Sequence, residues 1–459
     1  AVRVIRACKE LGIRTVAVYS DADRWSNYVS QADESVPIGP APARESYLKT
    51  ATLLEAARKT VAPAIHPGYV FLSENADFAD ACQKAKIKFI GPRAASMRAV
   101  GNKIAARKTA QKLGLPVVPG ISGQVDETQV LAFGKEHGYP ILLKAAGGGG
   151  GKGLRVVREG KEAPRALREA SSEAGHAFGD GTVFVEKYIA RPRHVEIQFF
   201  GDSKGKVIHL GERECSVQRR HQKLVEESPS VAVDEKLREK MGETAKKIAA
   251  SVGYENAGTC EFLLDESGKF YFLEVNSRLQ VEHPVTELVT GRDLVRWQLL
   301  VAAGESLPLK QDEVKRRGHA IEARICAEDP FSNFAPATGE VAAVRFPAGP
   351  FVRVDSDLVP GSQVSVYYDS LVAKLLVWGE TREAAIDRML RALREFKLVG
   401  VQTTVPFHIQ LFQNRKFQAG KIHTRFVDDE FDFKDVKEAH HEEAAVLAAA
   451  LEFLRREQM

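Results

Sequence analysis

Cysteine is scarce in this chain, with five among 459 residues: Cys8, Cys82, Cys215, Cys260 and Cys326. They lie far apart and form no C-x-x-C pair, which argues against a structural zinc site or a disulfide framework and for a reducing compartment. That compartment is expected to be the mitochondrial matrix in a eukaryote and the cytoplasm in a bacterium. No apolar run reaches the roughly 18 residues of a membrane-spanning helix, so no membrane partner is expected. The opening AVRVIRACKELG carries arginines where a signal peptide has an apolar core. A charge surplus is missing too. With 65 basic against 61 acidic residues the net charge is +4, too little to argue for nucleic acid as a partner. What the chain does have is 44% hydrophobic residues over a length that suits two or three domains with real cores.

The first ~100 residues alternate helical and strand patterns as βαβ units do. AVRVIRACKEL reads as an amphipathic helix stopped by Gly12, followed by the strand RTVAVYS. Helices over SYLKTATLLEAARKT and NADFADACQKA lead to the strands APAIHP and KFIGP, giving a Rossmann-like open parallel sheet. Such a sheet normally begins on a strand, so a first strand upstream of Ala1 is expected. A helix from about Ala94 to Leu113 leads to a central region, about 115–305, where PILLK, a glycine run and LRVV form a ribbon. From about 306 to 430 the strands AIEARICAED, GEVAAVRF, VRVDS and SLVAKLLVWGE are mostly antiparallel. The alanine-rich end, about 431–459, reads as a helical tail or the start of a further domain.

The stretch LLKAAGGGGGKGLRVV places five glycines between two apolar strands. Gly148 to Gly153 fits G-x-G-x-x-G, but a dinucleotide site needs a helix to follow, and Leu154 to Val157 reads as a strand. The Walker pattern fails because Ala146 and Gly153 stand where a glycine and a hydroxyl residue belong. What remains is a lid whose bare amides can close over phosphate oxygens, with Lys144 and Lys152 supplying charge. A plain flexible turn is the competing reading, but hairpins need only about two to five residues.

In TCEFLLDESGKFYFLEVNSRLQVEHP two strand patterns flank the turn DESG. Alternation puts Glu274 and Asn276 on one face, and pairing brings Glu261 opposite Glu274. Two carboxylates and an amide on one face suit magnesium bridging nucleotide phosphates; a solvated polar face is the alternative. In extended conformation Arg278, Gln280 and Glu282 point the same way: a cation, an amide and a base. ECSVQRRHQKLVEE adds Gln218, Arg219, Arg220, His221, Gln222 and Lys223 with no interleaved aromatic, an anion wall or else a solvated loop. RHVEIQFF puts His194, Glu196 and Gln198 on one strand face, where a ribose or phosphate contact competes with a structural histidine.

Taken together, HPGYVFLSEN, KAAGGGGGKG, EKYIARPRHVEIQ, ERECSVQRRHQK, NSRLQVEHPVTE, GHAIEARICAEDP and YYDSLVAKL resemble the biotin carboxylase component of biotin-dependent carboxylases. AGESLPLKQDE and FQAGKIHTRFV are most similar to the α subunits of acyl-CoA carboxylases, the methylcrotonoyl-CoA type first. The resemblance runs from Ala1 to about Asp429. It implies an ATP-grasp fold of mixed α/β and α+β class: an N-terminal domain over about 1–100, an ATP-grasp domain over 101–305 with a lid near 116–190, and a C-terminal domain over 306–430.

It also implies roles. Lys103, Lys144 and Gly147, Gly148, Gly149, Gly150 and Gly151 correspond to ATP phosphate contacts. Glu186, Lys187, Ile189, His194, Gln218 and His221 correspond to residues around adenine and ribose. Glu261, Glu274 and Asn276 correspond to ligands of magnesium or manganese. Lys223, Arg278, Gln280, Val281 and Glu282 match the bicarbonate pocket, with Glu282 as general base, and Arg324 matches the arginine that stabilises the biotin enolate. Biotin must come from a carrier domain, since no AMKM motif is present, and a carboxyltransferase subunit and an oligomer are implied. Two departures stand out. The family's opening strand and ANRGEIA loop are missing, and Val70 replaces a glycine, which would strain the chain if that position had a positive φ. An amine acceptor, as in carbamoyl phosphate synthesis, and a non-catalytic interaction subunit are the competing readings.

Overall fold

The computed structural model describes residues 1–101, 103–121, 123–145, 154–178, 181–220 and 222–433, with backbone alone at 103–105 and 177–178. The glycine lid, His221 and the alanine-rich tail fall outside these residues.

Helix α1 (Val2–Glu10) gives way to Gly12, whose φ of 70° is open to glycine at little cost. Strand β1 (Val16–Tyr19) pairs in parallel with β2 (Glu34–Pro37), and β3 (Ala64–Ile65) with β4 (Lys88–Phe89). Helices α2 (Thr50–Lys59) and α3 (Ala76–Lys84) fall between, the second capped by Asn75, whose side chain accepts from Phe78 N at 2.7 Å. The expected single parallel sheet is thus parallel in sense but divided into two pairs. Pro63 and Pro67 bracket β3, and a residue without an N–H cannot extend a ladder. The stretch read as a helix from Ala94 contains α4 (Ala94–Gly101) and α5 (Lys103–Lys112).

A small antiparallel sheet follows in the order β5 (Gly120–Ile121), β8 (Val183–Lys187), β6 (Ile141–Ala145), β7 (Leu154–Val157). Helices α6 (Glu127–His137) and α7 (Ala163–Phe178) cover it through Val130, Phe133, Ala166 and Ala170. Asp126 and Gln129 close a reciprocal capping box at the start of α6.

The rest of the chain is organised by one eight-stranded antiparallel sheet. It uses β9 (Arg193–Gly201), β10 (Val207–Arg219), β11 (Gln222–Ser228), β12 (Asn256–Leu264), β13 (Phe270–Asn276), β14 (His319–Cys326), β15 (Val352–Ser356) and β16 (Leu371–Gly379). Their spatial order is β13-β12-β9-β10-β11-β14-β16-β15, so the sheet passes unbroken from the central region into the one beyond residue 306. One face is apolar. At one end α8 (Glu235–Ser251) packs Met241, Ala245 and Ile248 on Ile197, Phe199 and Phe262. At the other, α11 (Arg382–Glu395) packs Ile386, Met389 and Leu393 on Ile321, Ile325, Leu375 and Val377. Each such side chain contributes on the order of 2 kcal/mol by leaving water. Helices α9 (His283–Thr290) and α10 (Leu294–Ala302) lie between β13 and β14 in the chain, and α9 packs Val285 and Val289 against Ala320, Leu376 and Trp378.

Candidate active site

The opposite face of the sheet is lined with charge. Register aligns Glu274 on β13, Glu261 on β12, Glu196 on β9 and Arg213 on β10 in a single row across four strands. Three acidic residues side by side, with Cβ atoms about 5 Å apart, repel by about 3 kcal/mol per neighbouring pair at an effective dielectric of about 20. Cations answer them. Arg213, fully buried, donates Nε to Glu196 at 2.5 Å and Nη1 to Gln198 at 2.7 Å. Lys223 Nζ donates to Glu196 at 2.7 Å, to Glu261 at 3.2 Å and to Glu282 at 2.6 Å. His194 Nε2 lies 2.9 Å from the other oxygen of Glu261. Asn276 donates Nδ2 to Glu261 at 2.8 Å, which leaves its Oδ1 as a ligand-type oxygen.

Two irregularities in the ladder make this possible. Between Glu261 and Phe262 the pairing jumps from Glu274 to Phe272, so Leu273 is an extra residue. Between Val217 and Gln218 it jumps from Val225 to Lys223, so Leu224 is another. The second bulge turns Lys223 onto the face that also carries Glu226, although the two are an odd number of residues apart.

Glu282 is the junction of the network. Its Oε1 accepts from Lys223, and its Oε2 accepts from Arg324 Nη2 at 2.9 Å. Arg324 Nε donates to Glu226 at 2.6 Å. Burial alone would raise the Glu282 carboxyl, but Lys223, Arg324 and Arg213 outweigh it and hold the group well below the ordinary carboxylate range. Burial likewise works against the Lys223 ammonium, yet Cys215, Glu196, Glu261 and Glu282 together raise it well above its usual value. The His194 imidazole is pulled down by burial and by Lys223, and the charge and hydrogen bond of Glu261 together with Glu196 outweigh them, so its net displacement is upward.

Glu282 does not continue an extended run from Asn276, as alternation predicts. It is the N-cap residue of α9, with Pro284 in the first turn and Gly291 in a left-handed C-cap. Arg278 therefore bonds elsewhere: Nε to Glu74 at 2.9 Å and Nη1 to Gln280 Oε1 at 2.8 Å. Gln280 Nε2 is buried with no partner among the described residues, and the Val281 carbonyl accepts from Lys374 Nζ at 2.6 Å.

The nucleotide candidates sit mainly on the small sheet. Lys144 on β6 lies 2.5 Å from Glu186 on β8, which also pairs with Arg107. Lys187 Nζ donates to the carbonyls of His137 and Gly138, both at 2.8 Å, and Ile189 is half-buried just beyond β8. The join to the large sheet is at Phe272, whose N–H donates to the Pro116 carbonyl at 2.8 Å. Gln218 is buried opposite Lys223. The Lys103 side chain, Gly147 to Gly151 and His221 lie outside the described residues. Positive φ in the HPGYVF loop falls on Gly68 (73°) and Phe71 (49°), not on Val70, so the valine brings none of the strain considered above.

Sequence reading passed over Arg213, Glu226, Lys374, Arg107 and Glu74. For Arg213 a signal existed: GEREC sits inside a long strand pattern, and charge in a buried strand calls for partners.

Three family models match the chain: biotin carboxylase, N-terminal domain, over 1–97; carbamoyl-phosphate synthase L chain, ATP binding domain, over 102–310; and biotin carboxylase C-terminal domain, over 322–429. The chain belongs to the biotin carboxylase family. It is 51% identical to a biotin carboxylase of Nostoc over 430 residues, 94% of this chain and 96% of that one. The α subunit of methylcrotonoyl-CoA carboxylase from Rattus norvegicus is 44% identical over 464 residues, all of this chain and 64% of that protein. The biotin carboxylase domain dimer of Hydrogenobacter thermophilus 2-oxoglutarate carboxylase, solved with MgADP, ADP and bicarbonate, superposes with a TM-score of 0.89 at 44% identity, covering 95% of this chain and 96% of that one. The ATP-grasp architecture and a ligase activity, ATP-dependent carboxylation of biotin, follow from that membership. Among the described residues no helix is long and apolar enough to cross a membrane.

Proposed function

We propose that the charged face of the large sheet carboxylates biotin in two steps, with carboxyphosphate formed from ATP and bicarbonate in the first. Glu282 takes the bicarbonate proton, and the oxygen so bared attacks the γ-phosphoryl group as the bond to the β-phosphate breaks and ADP leaves. Carboxyphosphate breaks down to carbon dioxide and phosphate beside the ureido ring of biotin. The phosphate takes the ring N–H proton, Arg324 stabilises the enolate, and the nitrogen attacks carbon dioxide to give carboxybiotin.

What supports this reading is the position of Glu282 between Lys223 and Arg324, with Lys223 also bonded to Glu196 and Glu261 of the carboxylate row. A carboxylate held so low by two cations is a poor base. An anionic substrate that draws off Lys223 raises the basicity of Glu282 as it binds, so the base is strengthened only when there is a proton to take. Glu261, Glu274 and Asn276 supply oxygen donors that fit a magnesium or manganese ion, which when bound neutralises charge on the phosphates of ATP. Lys144 and Glu186, paired on the small sheet, are the phosphate and adenine contacts in this reading, and the glycine run, which lies outside the described residues, is its phosphate lid.

Biotin arrives on a carrier domain and leaves to a carboxyltransferase subunit. For the acyl acceptor the methylcrotonoyl-CoA type is supported by extent: the match to the rat α subunit covers 464 residues, through the tail, whereas the match to the Nostoc enzyme covers 430. The test is ATP cleavage by the purified chain with bicarbonate, with and without free biotin. Stimulation by biotin is expected. Turnover that ignores biotin and responds to ammonia would favour the amine acceptor, and nucleotide binding without phosphate release would favour a non-catalytic subunit.

A further inference from the structure

Behind Arg324 the sheet holds an arrangement that the reaction above does not use. Glu226 on β11 and Glu322 on β14 are direct cross-strand partners on the charged face. Both are completely buried. Glu226 spends Oε1 on Arg324 Nε at 2.6 Å, while its Oε2 and both oxygens of Glu322 have no hydrogen-bond partner among the described residues. The next rung pairs two cations, Arg324 with Lys374. Lys374 is occupied by the Val281 carbonyl at 2.6 Å and lies 3.6 Å from Asp355, so it does not serve Glu322. Two opposed, dehydrated carboxylates with three open oxygens are not a stable state; one shared proton removes the repulsion and engages two of the three.

We propose that Glu322 is held as a neutral carboxylic acid that donates its proton to Oε2 of Glu226, and that it thereby acts as a positioning residue for Arg324. With Glu322 neutral, Glu226 remains a single anion whose other oxygen fixes Arg324 Nε. The guanidinium is then held between Glu226 and Glu282, and Nη1 enters neither bond. Burial raises the Glu322 carboxyl well above its ordinary range, Lys374 and Arg324 oppose this, and Glu226 and Glu282 reinforce it. From α9, packed over β14, the titratable groups are His283 and Glu287; the latter is bound to Arg3 and Arg353. As pH rises through the Glu322 value the proton is lost, the pair becomes doubly charged, and both stability and the placement of Arg324 suffer.

The role rests on the assignment of Arg324 to the biotin step, so the test has arms that do not. Infrared difference spectra at neutral pH, wild type minus E322Q, should show a protonated-carboxyl stretch that shifts in deuterium oxide. E322Q, the neutral isostere, should keep kcat/KM within about threefold, melt no lower than wild type at pH 8, and move the alkaline limb of the pH–rate profile upward. E322L, which fills the space without a donor, should lower kcat/KM about tenfold or more. Absence of the band in an active wild type, or a lower melting temperature for E322Q, would overturn the assignment. Failure of the proposed function would instead appear as a wild type whose ATP cleavage ignores biotin.

Discussion

Glu226 and Glu227 are adjacent on one strand and equally buried, yet they face opposite sides of the sheet and meet opposite fates. Glu227 accepts from Arg382 Nε at 2.6 Å and Nη2 at 3.2 Å, and His319 Nε2 lies 2.7 Å away. Burial pushes its carboxyl up, but Arg382 and His319 overcome this and bring it down to about 2. Glu226 has one bond from Arg324 and an open oxygen opposite Glu322, and burial leaves it raised. Burial is common to both, so the number of cations built around each acid decides how firmly it is held ionised. The apolar face completes its ion pairs and uses them for stability. The charged face leaves some incomplete, which is the condition for chemistry.

Four substitutions test this contrast between the two faces. The largest effect is expected from K223A, which strips the cation shared by Glu196, Glu261 and Glu282. One lost donor costs roughly 10²- to 10³-fold in kcat, and uncompensated buried charge lowers stability by roughly 3 to 5 kcal/mol. Steady-state ATP cleavage and denaturant unfolding measure the two, and intact stability would show that Lys223 does not hold the row together. Next, E227Q tests the apolar face. A carboxyl held at about 2 against an ordinary 4.5 contributes about 3 kcal/mol, present above the unfolded value and lost as pH falls through about 2. Unfolding of E227Q at pH 7 should show that loss, with biotin-dependent turnover per folded molecule retained; a selective fall in turnover would contradict the division between faces. A smaller effect is expected of E226Q, about tenfold in biotin-dependent kcat/KM with little change in melting temperature, because Arg324 keeps Glu282 but loses an anionic acceptor. Smallest is Val70→Gly, which should leave turnover within about twofold, since Val70 is not at a positive φ; recovery of much higher activity would mean the side chain obstructs the site.

Much of the site was legible where chemistry is local. The DESG turn and the alternation around it place Glu261 opposite Glu274, as the register shows. The helix after Glu282 was legible too, in Pro284 and Gly291, but the alternation of Arg278, Gln280 and Glu282 mimicked a strand and obscured it. The split of the N-terminal parallel strands follows from prolines whose effect on a ladder depends on which edge they occupy. Arg213 and Glu322 were harder to place, because their importance comes from residues far away in sequence. Nor does a bulge announce itself: nothing in QKLVEES says that Leu224 is the residue without a counterpart.

That unpaired leucine sets a limit on how this protein can change. Keeping Leu224 but pairing it in a regular ladder, with no residue left over, would make a tidier strand, and a sequence optimised for strand pairing alone would do so. The repaired strand would swing Lys223 toward the greasy side and present a different side chain to Glu282. Regularity and reactivity are therefore in conflict at this spot, and the defect in the weave is the part that selection must keep.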